Sequence, residues 1–245
     1  MYTIDGANLE ETYSTLMKWD ETFALDARFD YPVLRDEGLA GTPQIRGRVV
    51  QLSLRVVGST REDLRDNLTT LAARCLVRSG QLKQFDDRYL TVYLADIREQ
   101  ILPGGLAADM RVRFQAVDPF WYSVTEENDS QLAVLTGQQL VINNEGNVLL
   151  YPYLKIKAAT ATDLTNVQFK NVTTSKTLTV NTTVTSADYL VVKMFERTAA
   201  IGSSSKLKNT SGDWWTLAVG NNTIQVDWDG GGTADWYIYW RERWL

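Results

Sequence analysis

Residues 48–82 read RVVQLSLRVVGSTREDLRDNLTTLAARCLVRSGQL, and the hydrophobic period changes twice within them. Val50, Leu52, Leu54 and Val56 alternate with Gln51, Ser53 and Arg55, the period of two expected of a strand with one buried face. From Leu64 the spacing lengthens. Leu64, Leu68, Leu71, Ala72, Cys75 and Leu76 form one stripe at helical period. Ser59 and Glu62 have the spacing of a capping box. Glu62 and Asp63 sit in the first turn and Arg74 and Arg78 near the last, the order that suits the helix dipole. Gly80 stands where a C′ glycine belongs. The pattern predicts a strand, a helix over 60–79, and a second strand. Cys75 lies on the apolar stripe and reads as a small core residue, not a reactive thiol.

Outward from this stretch, strands continue on the same plan. Leu90, Val92 and Leu94 alternate with polar neighbours. Met110, Val112, Phe114 and Ala116 alternate with Arg111, Arg113 and Gln115. This describes antiparallel sheet packed on a core by one face. Pro103-Gly104-Gly105 reads as a hairpin tip between two strands, and 36–43, with Gly38, Gly41 and Pro43, as a loop or arm. The character changes after Asp118-Pro119-Phe120-Trp121-Tyr122. Residues 123–137 are polar and weakly periodic and read as a linker. Beyond them short strands recur at 140–142, 153–157, 167–169, 177–180, 189–194, 223–228 and 236–243, separated by turn residues, as in a β-sandwich or jelly roll. Ser and Thr crowd 160–186, yet Val167, Phe169, Leu178 and Val180 interleave there, and Thr is itself a strand residue. The expected organisation is a domain over 1–122, a linker over 123–137 and a second β domain over 138–245.

Composition limits the function. With 245 residues, 44% hydrophobic and 22% charged, the chain can build two cores of ordinary character. A formal charge of −5 argues against a duplex-DNA binder that relies on a basic surface. One cysteine allows no internal disulfide, and the absence of histidine excludes His-based triads and HExxH zinc sites. No Walker or GxGxxG motif is present. The N-terminus lacks the regions of a signal peptide and no apolar run spans a membrane, so synthesis in a cytoplasm is expected. No enzyme class has a recognisable frame, and no cofactor is expected.

Two features remain to be weighed. Asp227, Asp229, Gly232 and Asp235 fall on positions one, three, six and nine of an EF-hand-like loop, a weak metal candidate. Position twelve is Ile238, where a bidentate Glu is wanted, and strands flank the loop, so it reads as a Gly-rich hairpin with solvated aspartates. Six of the eight tryptophans fall at Trp214, Trp215, Trp228, Trp236, Trp240 and Trp244. A row of exposed tryptophans would suit stacking on sugars. The shared parity of Ile224, Val226 and Trp228, and of Trp236, Ile238, Trp240 and Trp244, favours core. Tyr237 and Tyr239 face the other way, so the last strand is either central in its sheet or covered by a neighbouring subunit.

The ordered set of features resembles the distal tail protein (Dit) family of long-tailed, siphovirus-type phages. In the first half the resemblance rests on strand 48–57, Gly58, helix 60–79, Gly80-Gln81-Leu82, and strand 111–117 closing on Asp118-Pro119-Phe120-Trp121-Tyr122. In the second half it rests on Trp215-x-Leu217-x-x-Gly220-x-Asn222-x-Ile224, a short turn and the aromatic final strand. It implies an N-terminal β-sandwich with one packed helix, similar to tail-tube proteins, and a C-terminal galectin-like β-sandwich. It implies a hexameric ring in the virion that joins the tail tube to the tail tip or baseplate hub, assembled in the host cytoplasm. The implied partners are further copies of the chain, the tube protein, the tip or hub protein and the tape-measure protein, with DNA passing through the ring unbound and no membrane contact. Galectins use histidine in their sugar sites and this chain has none, so the label describes fold and not lectin activity.

Ring closure needs two different surfaces of one subunit. Arg46, Arg48, Arg55, Arg111 and Arg113 are candidates to pair with Glu62, Asp63 or Asp66 of a neighbour; the other reading is that these are ordinary solvated charges. The competing function is a carbohydrate-binding module for host cell-surface recognition, which requires exposed tryptophans on the C-terminal domain.

Overall fold

The computed structural model describes residues 2–26, 29–30, 39–40 and 44–245, with the side chains of 2–22 and 47–245. It divides into two compact units, Met1–Val124 and Thr125–Leu245, and is mainly β with one α-helix among the described residues.

In the first unit, antiparallel strands run in the order Ala7–Asn8, Thr3–Ile4, Gly80–Phe85, Arg88–Ile101, Ala107–Ala116, Gln44–Val57, Ser14–Asp26. The 14-residue strand Arg88–Ile101 serves two layers: Leu90 and Val92 pair with Leu82 and Gly80, and residues from Tyr93 onward pair with Ala107–Ala116 across a bulge at Leu94/Asp96. Register sets Val50, Leu52 and Leu54 opposite Phe114, Val112 and Met110, all buried. The helix Arg61–Cys75 covers this apolar face with buried Leu64, Leu68, Leu71 and Cys75. The expected hairpin tip at Pro103-Gly104-Gly105 joins two paired strands. The loop expected at 36–43 lies largely outside the described residues.

The helix departs from expectation at both ends. Its N-cap is Thr60, whose side chain accepts from the Asp63 N–H at 3.1 Å, and Asp63 Oδ2 accepts in turn from the Ser59 N–H at 2.6 Å. The cap is thus one residue later than Ser59/Glu62, the Asp63 carboxylate reaches past it to Ser59, and Glu62 is left in solvent. At the other end Leu76 leaves helical geometry, and the Val77 carbonyl accepts from Leu94 N–H at 3.3 Å, so the chain is captured by the sheet before 79. Gly80 is the first residue of a strand and not a helix cap; a Cβ there would lie 2.9 Å from Asp5 Oδ2. Thr60→Ala is expected to cost about 1 kcal/mol. Urea unfolding should show the loss, and an unchanged midpoint would refute the cap.

The second unit has two antiparallel sheets. One runs Glu127–Val134, Ala234–Trp240, Tyr153–Ala158, Leu190–Lys193, Thr198–Ile201, Ser204–Ser205; the other runs Gln139–Asn144, Gly220–Asp229, Thr165–Asn171, Lys176–Val180, Thr210–Gly212. Their inner faces share one core that includes Phe169, Trp215, Trp228, Trp236 and Ile238. The segment read as a linker, 123–137, carries the edge strand Glu127–Val134. A bulge between Gln131 and Val134 and a positive φ at Ala133 break its alternation, which is why it lacks a clean period in the sequence.

Candidate functional site

The strands that build the first core also build an opposite, polar face. Gln51, Ser53 and Arg55 stand opposite Arg113, Arg111 and Asp109, and these oppose Asp96, Arg98 and Gln100 on the next strand. Arg111 and Arg113 are exposed. Arg55 makes a two-pronged contact with Asp109, at 2.7 and 3.1 Å, and that donation holds the Asp109 carboxyl below its usual range. Arg98 meets Asp96 at 2.6 Å. Water screens such exposed pairs, so they add little to stability.

Arg48 does not join that face. It has even parity, like Val50 and Leu52, and its side chain is 2% exposed. Nη1 meets Glu21 Oε2 at 2.6 Å, and the guanidinium lies 5.8 Å from the centroid of the Trp121 ring. Burial pushes its pKa down while Glu21 pushes it back. Arg48 therefore serves the interior of its own unit, which the strand alternation could have revealed. Arg46 lies in the strand Gln44–Val57, but its side chain falls outside those described. On the helix, Glu62 and Asp66 are exposed and Asp63 is engaged with Ser59. The helix covers the apolar face of the sheet, so its acidic side and the Arg111/Arg113 face are separate surfaces of one unit.

The three aspartates of the EF-hand-like loop have separate partners. Asp227 is paired with Lys170 and accepts from Gln225, Asp229 accepts from Asn166 at 3.1 Å, and Asp235 accepts from the Ala133 N–H at 2.9 Å. No group of three or more His, Cys, Asp or Glu among the described residues is placed to hold a metal ion. The Cys75 thiol is buried, and burial pushes its pKa up to about 12, which removes the thiolate that reactivity needs.

Tryptophan is spent on the core. Trp215, Trp228 and Trp236 are buried, and their indole N–H groups donate to Phe169 O, Gly232 O and Gln131 Oε1. Trp214, Trp240 and Trp244 are partly buried, so the exposed row that a sugar platform needs is not present. The strand Ala234–Trp240 is central, between Glu127–Val134 and Tyr153–Ala158. Its outward side brings Tyr237 and Tyr239 beside Tyr153, Lys155 and Tyr189, a cluster that the sequence reading missed. The signal was the alternation Tyr153-Lys155-Lys157 facing Tyr237-Tyr239.

Residues 133–244 match the family model described as "Siphovirus-type tail component, C-terminal domain". No curated protein matches the chain. Among solved structures, the chain is similar to the Dit (gp 19.1) protein of phage SPP1, with a TM-score of 0.73 and 17% identity over 100% of both chains. That protein is described as "a Paradigm of Hub Adsorption Apparatus in Gram-positive Infecting Phages". A chain of the phage p2 baseplate in its activated conformation with Ca aligns at a TM-score of 0.45 and 12% identity, over 98% of this chain and 97% of that one. The same baseplate with Sr gives 0.43 and 12%, over 97% of each.

Proposed function

We propose that this chain belongs to the distal tail protein (Dit) family, a reading that its match over 133–244 and its fold support, and that it is a structural part of a phage tail, at the distal or baseplate end. Within that role it forms a hexameric ring that continues the tail tube, receives the tip or hub protein and the tape-measure protein, and lets DNA pass. The virion is its place of work and the host cytoplasm its place of assembly. It turns over no substrate; its usefulness lies in shape.

One observation carries the ring reading: the first unit presents charge of both signs on two different surfaces, Arg111 and Arg113 on the open sheet face and Glu62 and Asp66 on the helix. Head-to-tail contact between unlike surfaces closes a ring when the rotation per copy divides a full turn. A net charge of −5 suits a conduit that must not hold nucleic acid.

The reading predicts ring-shaped top views in negative stain and a hexamer mass by light scattering, for the chain alone or with its hub partner. Arg111→Glu with Arg113→Glu should return the mass to that of a monomer. An unchanged mass would remove these arginines from the interface. Absence of rings with both tube and hub proteins present would remove the ring itself.

A further inference from the structure

We propose that the outward face of the sheet containing Tyr153–Ala158 and Ala234–Trp240 is a docking surface for an extended segment of a partner protein in which acidic residues alternate with apolar ones. The proposal does not depend on ring formation, since every residue it uses lies in the second unit.

Register builds this face. Tyr153 stands opposite Tyr239, Lys155 opposite Tyr237 and Lys157 opposite Asp235, while Leu154, Ile156 and Ile238 turn inward. On the far side Lys193 opposes Tyr153 and Val191 opposes Lys155. The rings run together: Tyr153 to Tyr239 at 5.2 Å, Tyr239 to Tyr237 at 6.5 Å, Tyr237 to Tyr189 at 5.9 Å. The ammonium of Lys155 lies 5.1 Å from the Tyr153 centroid and 5.0 Å from that of Tyr239, and Lys157 lies 5.1 Å from Tyr189. The rings thus act as rails that fix two cations. A lysine fixed before binding loses less rotamer freedom when it meets an anion.

The charges favour an anionic guest. Lys155 has no carboxylate partner among the described residues, and the nearest pairs on the face are loose, Lys157–Asp235 at 3.9 Å and Lys193–Glu196 at 3.7 Å. On this face Lys155, Lys157 and Lys193 outnumber Asp235 and Glu196, within a protein of net charge −5. Lys155 and Lys157 are two residues apart on one strand, ~6.5–7 Å, the spacing of same-side residues on any extended partner strand.

The rest of the face favours a protein over a bare polyanion. Lysine already covers the faces of Tyr153, Tyr239 and Tyr189, which leaves little open ring for sugars to stack on. Apolar surface continues beyond the cations: Tyr151 is 41% exposed, Phe195 is 70% exposed, and their rings meet at 5.4 Å. A polyphosphate or sulfated glycan would use the ammonium groups and waste that surface. Tyrosine-rich, partly apolar faces are typical of protein contacts.

The test uses the full chain and a fluorescein-labelled peptide of Glu-Val-Glu-Thr repeated three times, followed by anisotropy at low salt. The expected result is saturable binding that weakens roughly tenfold or more in Lys155→Ala/Lys157→Ala, the scale of losing two desolvated cation contacts. Lys155→Gln alone should weaken it in the same direction. Lys176→Ala/Lys208→Ala, an equal charge change elsewhere on the unit, should leave it unaltered. Thermal unfolding midpoints matching the parent would confirm that the variants are folded. Three results would overturn the proposal: no binding by the parent chain, equal loss in the control pair, or displacement of the peptide by polyphosphate or dextran sulfate as complete as by unlabelled peptide at matched charge.

Discussion

Trp215→Ala is expected to lower the stability of the second unit by about 4 kcal/mol, the range for deleting a large buried aromatic. The side chain is wholly buried, and its indole N–H donates to the Phe169 carbonyl at 3.0 Å. Truncation therefore leaves a cavity in the shared core and a buried carbonyl without its donor, and the second loss alone is worth ~1–3 kcal/mol. A domain stable by only ~5–15 kcal/mol loses much of its margin to such a change. The neighbouring Trp214 is partly exposed and only packs against the edge of the core. Trp214→Ala should cost less than half as much. Urea unfolding followed by tryptophan fluorescence reports this unit well, because six of the eight tryptophans lie in it. Similar midpoint shifts for the two variants would contradict the assignment of Trp215 to the centre of the core.

The fold was legible where one residue after another repeats a period. Val50 to Val56, Met110 to Ala116 and Ile224 to Trp228 each show one apolar face, and each turns out buried on that face. The second half of the resemblance to the distal tail family agrees with the match over 133–244, and the strands and helix of the first half lie outside that match. Legibility failed where side-chain class was read without position. Arg48 and Arg55 share a side-chain class, but they differ in parity and so point to opposite sides. It failed again at Glu127–Val134, where an edge strand with a bulge has no period to show. The Tyr–Lys face shows locally only as two separate alternations, Tyr153-Lys155-Lys157 and Tyr237-Tyr239. Tyr153 and Tyr239 meet only because one strand hydrogen-bonds another from the far end of the domain. Surfaces made by register between distant strands are the last thing a linear sequence discloses.

Glu21→Ala is expected to destabilise the first unit by about 3 kcal/mol, for a reason that also bears on strand register. The change removes the carboxylate 2.6 Å from the guanidinium of Arg48, whose side chain is 2% exposed, and the acceptor 2.7 Å from the Trp19 indole N–H. Removing one side of a buried pair takes away a main compensation for the remaining charge, at a typical cost of ~3–5 kcal/mol; the 22% exposure of Glu21 places this case at the lower end. Replacing both partners, Arg48→Met with Glu21→Leu, should be close to neutral, since apolar groups of similar size need no partner. What the double change should lose is specificity. Glu21 and Arg48 lie on paired strands, with Phe23 opposite Arg48 and Glu21 opposite Val50. A slip of one residue in Ser14–Asp26 against Gln44–Val57, which Ala107–Ala116 holds on its other side, would turn Glu21 out of the core and bring Asp20 and Thr22 toward it. In the natural chain such a slip would also separate the buried pair, so the ion pair penalises the wrong register more than it stabilises the right one. Equilibrium unfolding of both variants, with hydrogen exchange along Ser14–Asp26, tests this reasoning. The argument holds if the single variant is the less stable and the double variant exchanges faster along that strand. It falls if the double change costs as much stability as the single one.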